Sequence, residues 1–238
     1  MMMKISRSAL MGLMVPTFVG AMSLSQDTIA VPAWKQAKCT IVGTHGNDEL
    51  KGTPGRDVIC GGAGNDELLG ISGRDVLRGG KGNDRLEGGK GDDVLSGGRG
   101  ADLLGGGPDD DRLRGGSGPG RFFGDRGNDH IRAGGDRDAI EPGKGDDVVR
   151  AGGGKDWIFD GGGGDILRGQ GGRDRIQAYG GRDRVYGGSQ NDLCLNTFDG
   201  HRHDVIRGNG GRDSYFNDVG DRAFGVERRL PFSCELTS

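Results

Sequence analysis

From Gly43 onward the chain repeats itself every nine residues, and this short period constrains the fold more than any other property of the sequence. The units read GTHGNDELK, GTPGRDVIC, GGAGNDELL, GISGRDVLR, GGKGNDRLE, GGKGDDVLS, GGRGADLLG, and the frame holds through Leu195, giving seventeen contiguous copies. Three inserted residues, Asn196 to Phe198, precede two more units, DGHRHDVIR and GNGGRDSYF, which end at Phe216. A unit this short cannot bury a core alone, so about nineteen copies must stack on one another.

The sixth position is aspartate in every unit but one: Asp48, Asp57, Asp66, Asp75, Asp84, Asp93, Asp102, Asp111, Asp129, Asp138, Asp147, Asp156, Asp165, Asp174, Asp183, Asp192, Asp204 and Asp213, with Gly120 the exception. The eighth position is apolar throughout, from Leu50, Ile59, Leu68 and Leu77 to Ile176, Val185, Cys194, Ile206 and Tyr215. Low-complexity sequence has no such positional grammar. Because strand side chains alternate, position eight is expected to face inward and positions seven and nine outward. With 53 glycines and only 32% hydrophobic residues, the interior is too sparse for an ordinary globular core.

The pattern G-G-x-G-x-D-x-U-x resembles the RTX, or haemolysin-type calcium-binding, nonapeptide repeat, over about three quarters of the chain. The resemblance implies an all-β fold, a parallel β-roll (a right-handed β-solenoid) with two nonamers per coil, six residues of each forming a turn and three a short strand. It further implies several calcium ions between stacked turns, held by the position-six carboxylates and by carbonyls of the glycine-rich loop. The chemistry agrees: calcium takes six to eight oxygen ligands at loose geometry, and glycine lets carbonyls converge. Stacked aspartates about 4.8 Å apart repel one another without a cation, so metal binding and folding are expected to be one event.

Position five varies. On one edge it reads Asn47, Asn65, Asn83, Ala101, Pro119, Arg137, Lys155, Arg173 and Asn191, and on the other Arg56, Arg74, Asp92, Asp110, Asn128, Asp146, Gly164 and Arg182. An arginine there is either solvated or replaces a calcium by a salt bridge. Asp109, Asp136, Gln190 and Arg202 displace the fourth-position glycine, and residues 106–123, which include Gly120, are the expected gap in the calcium ladder.

Residues 1–25 read as a secretory signal peptide: Lys4 and Arg7 precede an apolar run from Ala9 to about Met22, shorter than the roughly 20 residues of a spanning helix. The mature protein is therefore expected outside the cell, without a membrane span. Residues 26–42 are expected to form an N-terminal cap with Ile41 in the core register, 43–216 the roll, and 217–238 a C-terminal cap using Phe224, Val226, Leu230 and Phe232. Four cysteines allow three pairings; position along the chain favours Cys39 with Cys60 and Cys194 with Cys234.

Position nine of one sheet stacks Arg114, Arg132, Arg150 and Arg168, either a solvated face or a surface for an anionic polymer such as an extracellular surface glycan or DNA. Phe123, Trp157 and Phe159 fall on the opposite sheet, for sugar stacking or for packing against another surface. No specific nucleic-acid motif is present. Catalysis is not expected: the serine contexts GISGR, GGSGP and GGSQN do not complete a nucleophile elbow, there is no H-E-x-x-H, and His201 and His203 alone make a weak metal pair. Acidic and basic residues alternate, with a net charge of −3, so charge names no partner.

Overall fold

Residues eighteen apart occupy the same place in successive coils, so one apolar side chain per nonamer becomes two continuous stacks. The computed structural model describes residues 37–197, 203–216, 221–226 and 228–229 of the chain. All regular structure among them is strand. One parallel sheet holds, in spatial order, β1 (Ile41–Val42), β3 (Val58–Ala63), β5 (Val76–Lys81), β7 (Val94–Arg99), β9 (Arg112–Ser117), β11 (His130–Gly134), β13 (Val148–Gly154), β15 (Ile166–Gly172), β17 (Arg184–Ser189), β19 (Val205–Asn209) and β21 (Arg222–Phe224). The other holds β2 (Glu49–Lys51), β4 (Glu67–Ser72), β6 (Arg85–Lys90), β8 (Leu103–Pro108), β10 (Arg121–Arg126), β12 (Ala139–Lys144), β14 (Trp157–Phe159), β16 (Arg175–Gln177), β18 (Leu193–Asn196), β20 (Ser214–Phe216) and β22 (Arg228–Arg229). The chain therefore crosses from sheet to sheet at every nonamer, a parallel β-solenoid of about ten turns.

Position eight is the core. Leu77 lies in register with Leu95, and Leu86 with Leu104; these residues and Leu68 and Leu113 are fully buried. Each such burial is worth about 1.5–3 kcal/mol. Positions seven and nine mostly face out, but Val58 and Val76 at position seven are buried too.

The strands are longer than the three residues expected. Pairing runs through positions seven to nine and resumes at positions two and three of the next unit, as in Val58 with Val76, Cys60 with Arg78, Gly62 with Gly80 and Ala63 with Lys81. Glycine permits this at position two: Gly80 has φ +122°, and a Cβ there would collide with the carbonyl of Gly62 in the preceding coil. The turn proper shrinks to the residues around positions four to six.

At the N-terminal end Ile41 takes the core register opposite Ile59, as expected, and the Cys39–Cys60 disulfide ties that coil to the next. Toward the other end the nine-residue frame slips. Leu193 pairs with Arg175, but Leu195, not Cys194, pairs with Ile176 and then with Tyr215, so Cys194 is bulged out of the core register. The three-residue insertion is absorbed beyond it, so that Asp192 and Asp213 bond across 21 residues where other coils bond across 18. The C-terminal segment continues both sheets instead of merely covering them. Ala223 pairs with Ile206 and packs with Val226 on the core, whereas Phe224, expected to cover the end, is half-exposed beneath Arg207. Residues 1–36, Cys234, Leu230 and Phe232 lie outside the described residues, and with them the signal segment and the second disulfide.

Candidate metal centre

Each turn is fixed to the next by its position-six aspartate. The backbone N–H of Asp66 donates to Oδ1 of Asp84 at 2.9 Å, that of Asp75 to Asp93 at 2.7 Å, and that of Asp147 to Asp165 at 2.7 Å. The carboxylate thus reaches back to the turn before it. Backbone continuity then buries it: every position-six aspartate from Asp57 to Asp213 is buried, and Asp48 in the first turn is half-buried.

The second oxygen is left over. Oδ2 of Asp66, Asp75, Asp84, Asp93, Asp111, Asp129, Asp138, Asp147, Asp156, Asp165, Asp174 and Asp192 is buried with no hydrogen-bond partner. An orphaned carboxylate oxygen in that setting is costly unless something cationic meets it. Its surroundings are oxygen-rich: a Cβ on Gly61 would meet both Oδ2 of Asp66 and the carbonyl of Gly79 in the following coil, and Gly70, Gly88 and Gly169 face equivalent pairs. Where position one is glycine, its face forms the wall of this slot. Burial, partly offset by the backbone N–H bond and reinforced by neighbouring aspartates, pushes Asp93 up to about 7 and Asp111 up to about 8; burial similarly raises Asp147 and Asp192 to about 7.

The family model for the RTX calcium-binding nonapeptide repeat (4 copies) matches residues 40–68, 69–104, 105–140, 115–149, 143–163 and 159–194. The chain belongs to the RTX calcium-binding nonapeptide repeat family. No curated protein matches the chain.

RTX repeats bind calcium, and the donors of this roll suit that ion. Slots made only of carboxylate and carbonyl oxygen match a hard cation that tolerates irregular coordination. The position-six Oδ2 atoms and the position-one carbonyls are the groups that would hold it, and the ion would supply the charge that the buried row of aspartates lacks.

Not every turn of the RTX roll is equivalent. In the first two, position two is threonine: Thr44 and Thr53 donate their backbone N–H to Oδ2 of Asp48 and Asp57 at 2.6 Å each, and their hydroxyls add a second bond. These two carboxylates are already satisfied by their own turns. At Gly120 the carboxylate is missing, and a Cβ on either Gly115 or Gly120 would strike the ring of Phe122, so hydrocarbon fills the slot. Within the same stretch, 106–123, Asp111 keeps the ordinary geometry, its backbone N–H donating to Oδ1 of Asp129.

Position five has a purpose that the sequence did not reveal. Asn47 Oδ1 accepts from Asn65 N–H, Asn65 from Asn83, and Asn83 from Ala101, at 2.7–2.8 Å, a second ladder reaching forward where the aspartates reach back. Arginine cannot accept, so turns such as Arg56 and Arg74 lack this link. Arg74 instead pairs with exposed Asp92 at 3.4 Å, away from buried Asp75, which favours the solvated reading of that arginine. At position four, Asp109 and Asp136 accept from Gly91 and Gly118 N–H, so they replace glycine without breaking the stack.

Asp160 is the residue that sequence reasoning passed over. It stands at position one, between Pro142 and Ala178 of the adjacent units on that edge, and it is fully buried. Together with Asp147 and Asp165 it forms a cluster whose ligand oxygens all lie within 4.8 Å of one another. Burial first, then the contact with Asp165, raises Asp160 to about 9. The signal was available as an acidic residue at a position whose side chain can point only into the slot.

On the outer faces, Arg114, Arg132, Arg150 and Arg168 stand in register on four successive strands, followed by Tyr186, over which Arg168 stacks at 5.0 Å. Trp157 and Phe159 are half-exposed on the other sheet, Trp157 between Arg137 and Arg175. His203 is exposed and its backbone N–H donates to Asp221; His201 lies outside the described residues. No helix among the described residues is long and apolar enough to cross a membrane.

Proposed function

We propose that the protein is a secreted structural module whose roll forms when calcium enters the slots between successive turns. The observation that carries this reading is the row of buried Oδ2 atoms, each lacking a partner while Oδ1 is fixed by the preceding coil. All eighteen position-six aspartates are assigned to this task, those of the two threonine-capped turns as its weakest members. The apolar run behind Lys4 and Arg7 supports export through a cleaved leader, and the strands β1, β21 and β22 support terminal coils that extend the roll of 43–216 into its flanks.

The test is a calcium titration of the mature, oxidised protein followed by circular dichroism, with magnesium as control. Cooperative gain of β-structure with calcium alone is expected, and fewer ions bound than turns. A sheet spectrum that survives exhaustive chelation, or a chain that takes up no calcium, overturns it.

A second reading concerns the outer face. Four arginines in register at about 4.8 Å repel one another, and an anionic extracellular polymer laid along the sheet relieves that repulsion. Retention of the calcium-loaded protein on a uronate-rich polysaccharide, lost in an Arg132→Ala, Arg150→Ala double variant, supports this; retention unaffected by the substitutions rejects it. We propose no catalytic role, and Ser72 and Ser189 support this in spending their hydroxyls on carbonyls of the preceding coil. A place as accessory module of a secreted hydrolase would be detected by a hydrolase screen.

A further inference from the structure

We infer that Asp160 turns one slot of the roll into a three-carboxylate calcium site that holds its ion more tightly than the two-carboxylate slots. The inference rests on the calcium reading above and concerns which slot dominates, not whether slots exist.

The geometry begins at position one. A Cβ on Gly61, Gly79 or Gly169 would meet Oδ2 of the aspartate five residues later, so a side chain at position one has nowhere to go but the slot. In the unit that begins at Asp160 that side chain is a carboxylate, and it comes to lie against Asp165 of its own turn and Asp147 of the preceding coil on that edge. All three residues are fully buried.

The backbone here departs from the ordinary unit, as it does again in the unit that begins at Ala178. Strand β14 stops at Phe159, and the positive φ that ordinary units place at position two moves to position three, Gly162 at +123°, while Gly163 at position four keeps the usual positive φ at +146°. Asp160 Oδ2 then accepts from Gly162 N–H at 3.2 Å and from Tyr179 N–H at 3.5 Å. Its other oxygen, Oδ1, is buried without a partner, as are Oδ2 of Asp147 and of Asp165. Two N–H groups orient the added carboxylate, and the orphaned oxygens of all three residues are gathered in one place.

An ordinary slot brings together the carboxylates of two stacked turns; this one has three. Calcium affinity in protein sites rises with the number of charged ligands, over several decades. No lysine or arginine among the described residues forms an ion pair with any of the three. A proton shared between Asp160 and Asp165 is the competing arrangement, and it makes the slot weaker, not stronger.

The experiment mixes the calcium-loaded full chain with an excess of a chromophoric calcium chelator and follows release. Wild type is expected to release one ion per chain at least about tenfold more slowly than the others. In Asp160→Asn, which keeps the shape, and Asp160→Gly, which restores the common residue of position one, the slow phase should vanish while β-structure at saturating calcium is retained. A wild-type chain that releases all its ions in one phase overturns the inference whatever the variants do, and so does a slow ion that persists in either variant. A wild-type chain that takes up no calcium at all fails the general reading instead.

Discussion

The ring of Phe122 fills the space beside Gly120 that an aspartate carboxylate fills in other turns: Gly97 and Gly106 face Asp102 and Asp111, whereas Gly115 faces the Phe122 ring. The two departures from the repeat are therefore one change. A larger core residue and a missing carboxylate fit together, and neither fits with the ordinary partner of the other.

It follows that Gly120→Asp alone should not create a metal site. The new side chain meets the ring, and overpacking of this kind costs about 1–3 kcal/mol. Combined with Phe122→Leu, the same substitution restores the repeat, and calorimetry should count more calcium per chain than in wild type. An unchanged ion count in the double variant contradicts this account of the gap.

Position-two glycines should be far less tolerant than glycines at position three. Gly98→Ala places a Cβ on the carbonyl of Gly80 at φ +120°, strain of about 1–3 kcal/mol. At Gly153 the nearest atom to an added Cβ is 3.7 Å away and φ is not positive, so Gly153→Ala should change stability by no more than about 0.5 kcal/mol. Urea midpoints at saturating calcium compare the two, and equal midpoints would dismiss the close approach as a constraint.

Protons should compete with calcium and stand in for it. Burial raises the aspartates of the slots, Asp84 to about 6, Asp93 to about 7 and Asp111 to about 8, above the unfolded value near 3.9. The folded, metal-free state thus binds more protons than the unfolded one, so its stability falls as pH rises from about 4 to about 8 and stays low above that. In chelator, acidification from pH 8 toward 5 should recover β-structure. With calcium present, the midpoint of the titration should move to higher calcium over the same interval. Flat profiles in both experiments would show that these carboxylates do not carry the coupling.

Reduction of Cys39–Cys60, or Cys60→Ser, should loosen the first coil and leave the rest intact. The bridge spans 21 residues, and closing a loop of that size is worth about 3 kcal/mol. Hydrogen exchange should accelerate at Ile41 and Val42 while Leu95 and Leu113 remain protected. Uniform acceleration along the roll would mean that the bridge governs the whole stack.

Much of this was legible because a nine-residue period leaves little freedom. The core register of Ile59 through Val185 and the burial of the position-six aspartates follow from where the apolar and acidic residues recur. What escaped depended on contacts between coils. Pairing at Gly62 and Gly80 lengthens the strands, because glycine in the left-handed region can still form the ladder. The Asn47, Asn65 and Asn83 ladder looks in sequence like a turn preference, and only stacking gives it acceptors and donors. Cys194 looked like a core residue because counting by nine cannot see a bulge. Phe224 was expected inside from its apolarity, yet register assigns Ala223 to that place. Asp160 put a carboxylate at position one in plain view, but its meaning depends on Asp147 lying a full coil away.

The direction in which the aspartates reach carries one last consequence. Asp57 N–H waits for Asp75, Asp75 for Asp93, and so on along that edge until Asp204 N–H donates to Asp221. Each layer is completed by material that leaves the ribosome after it. A growing polypeptide therefore carries an unfinished layer at its leading edge until the coil that follows has been made.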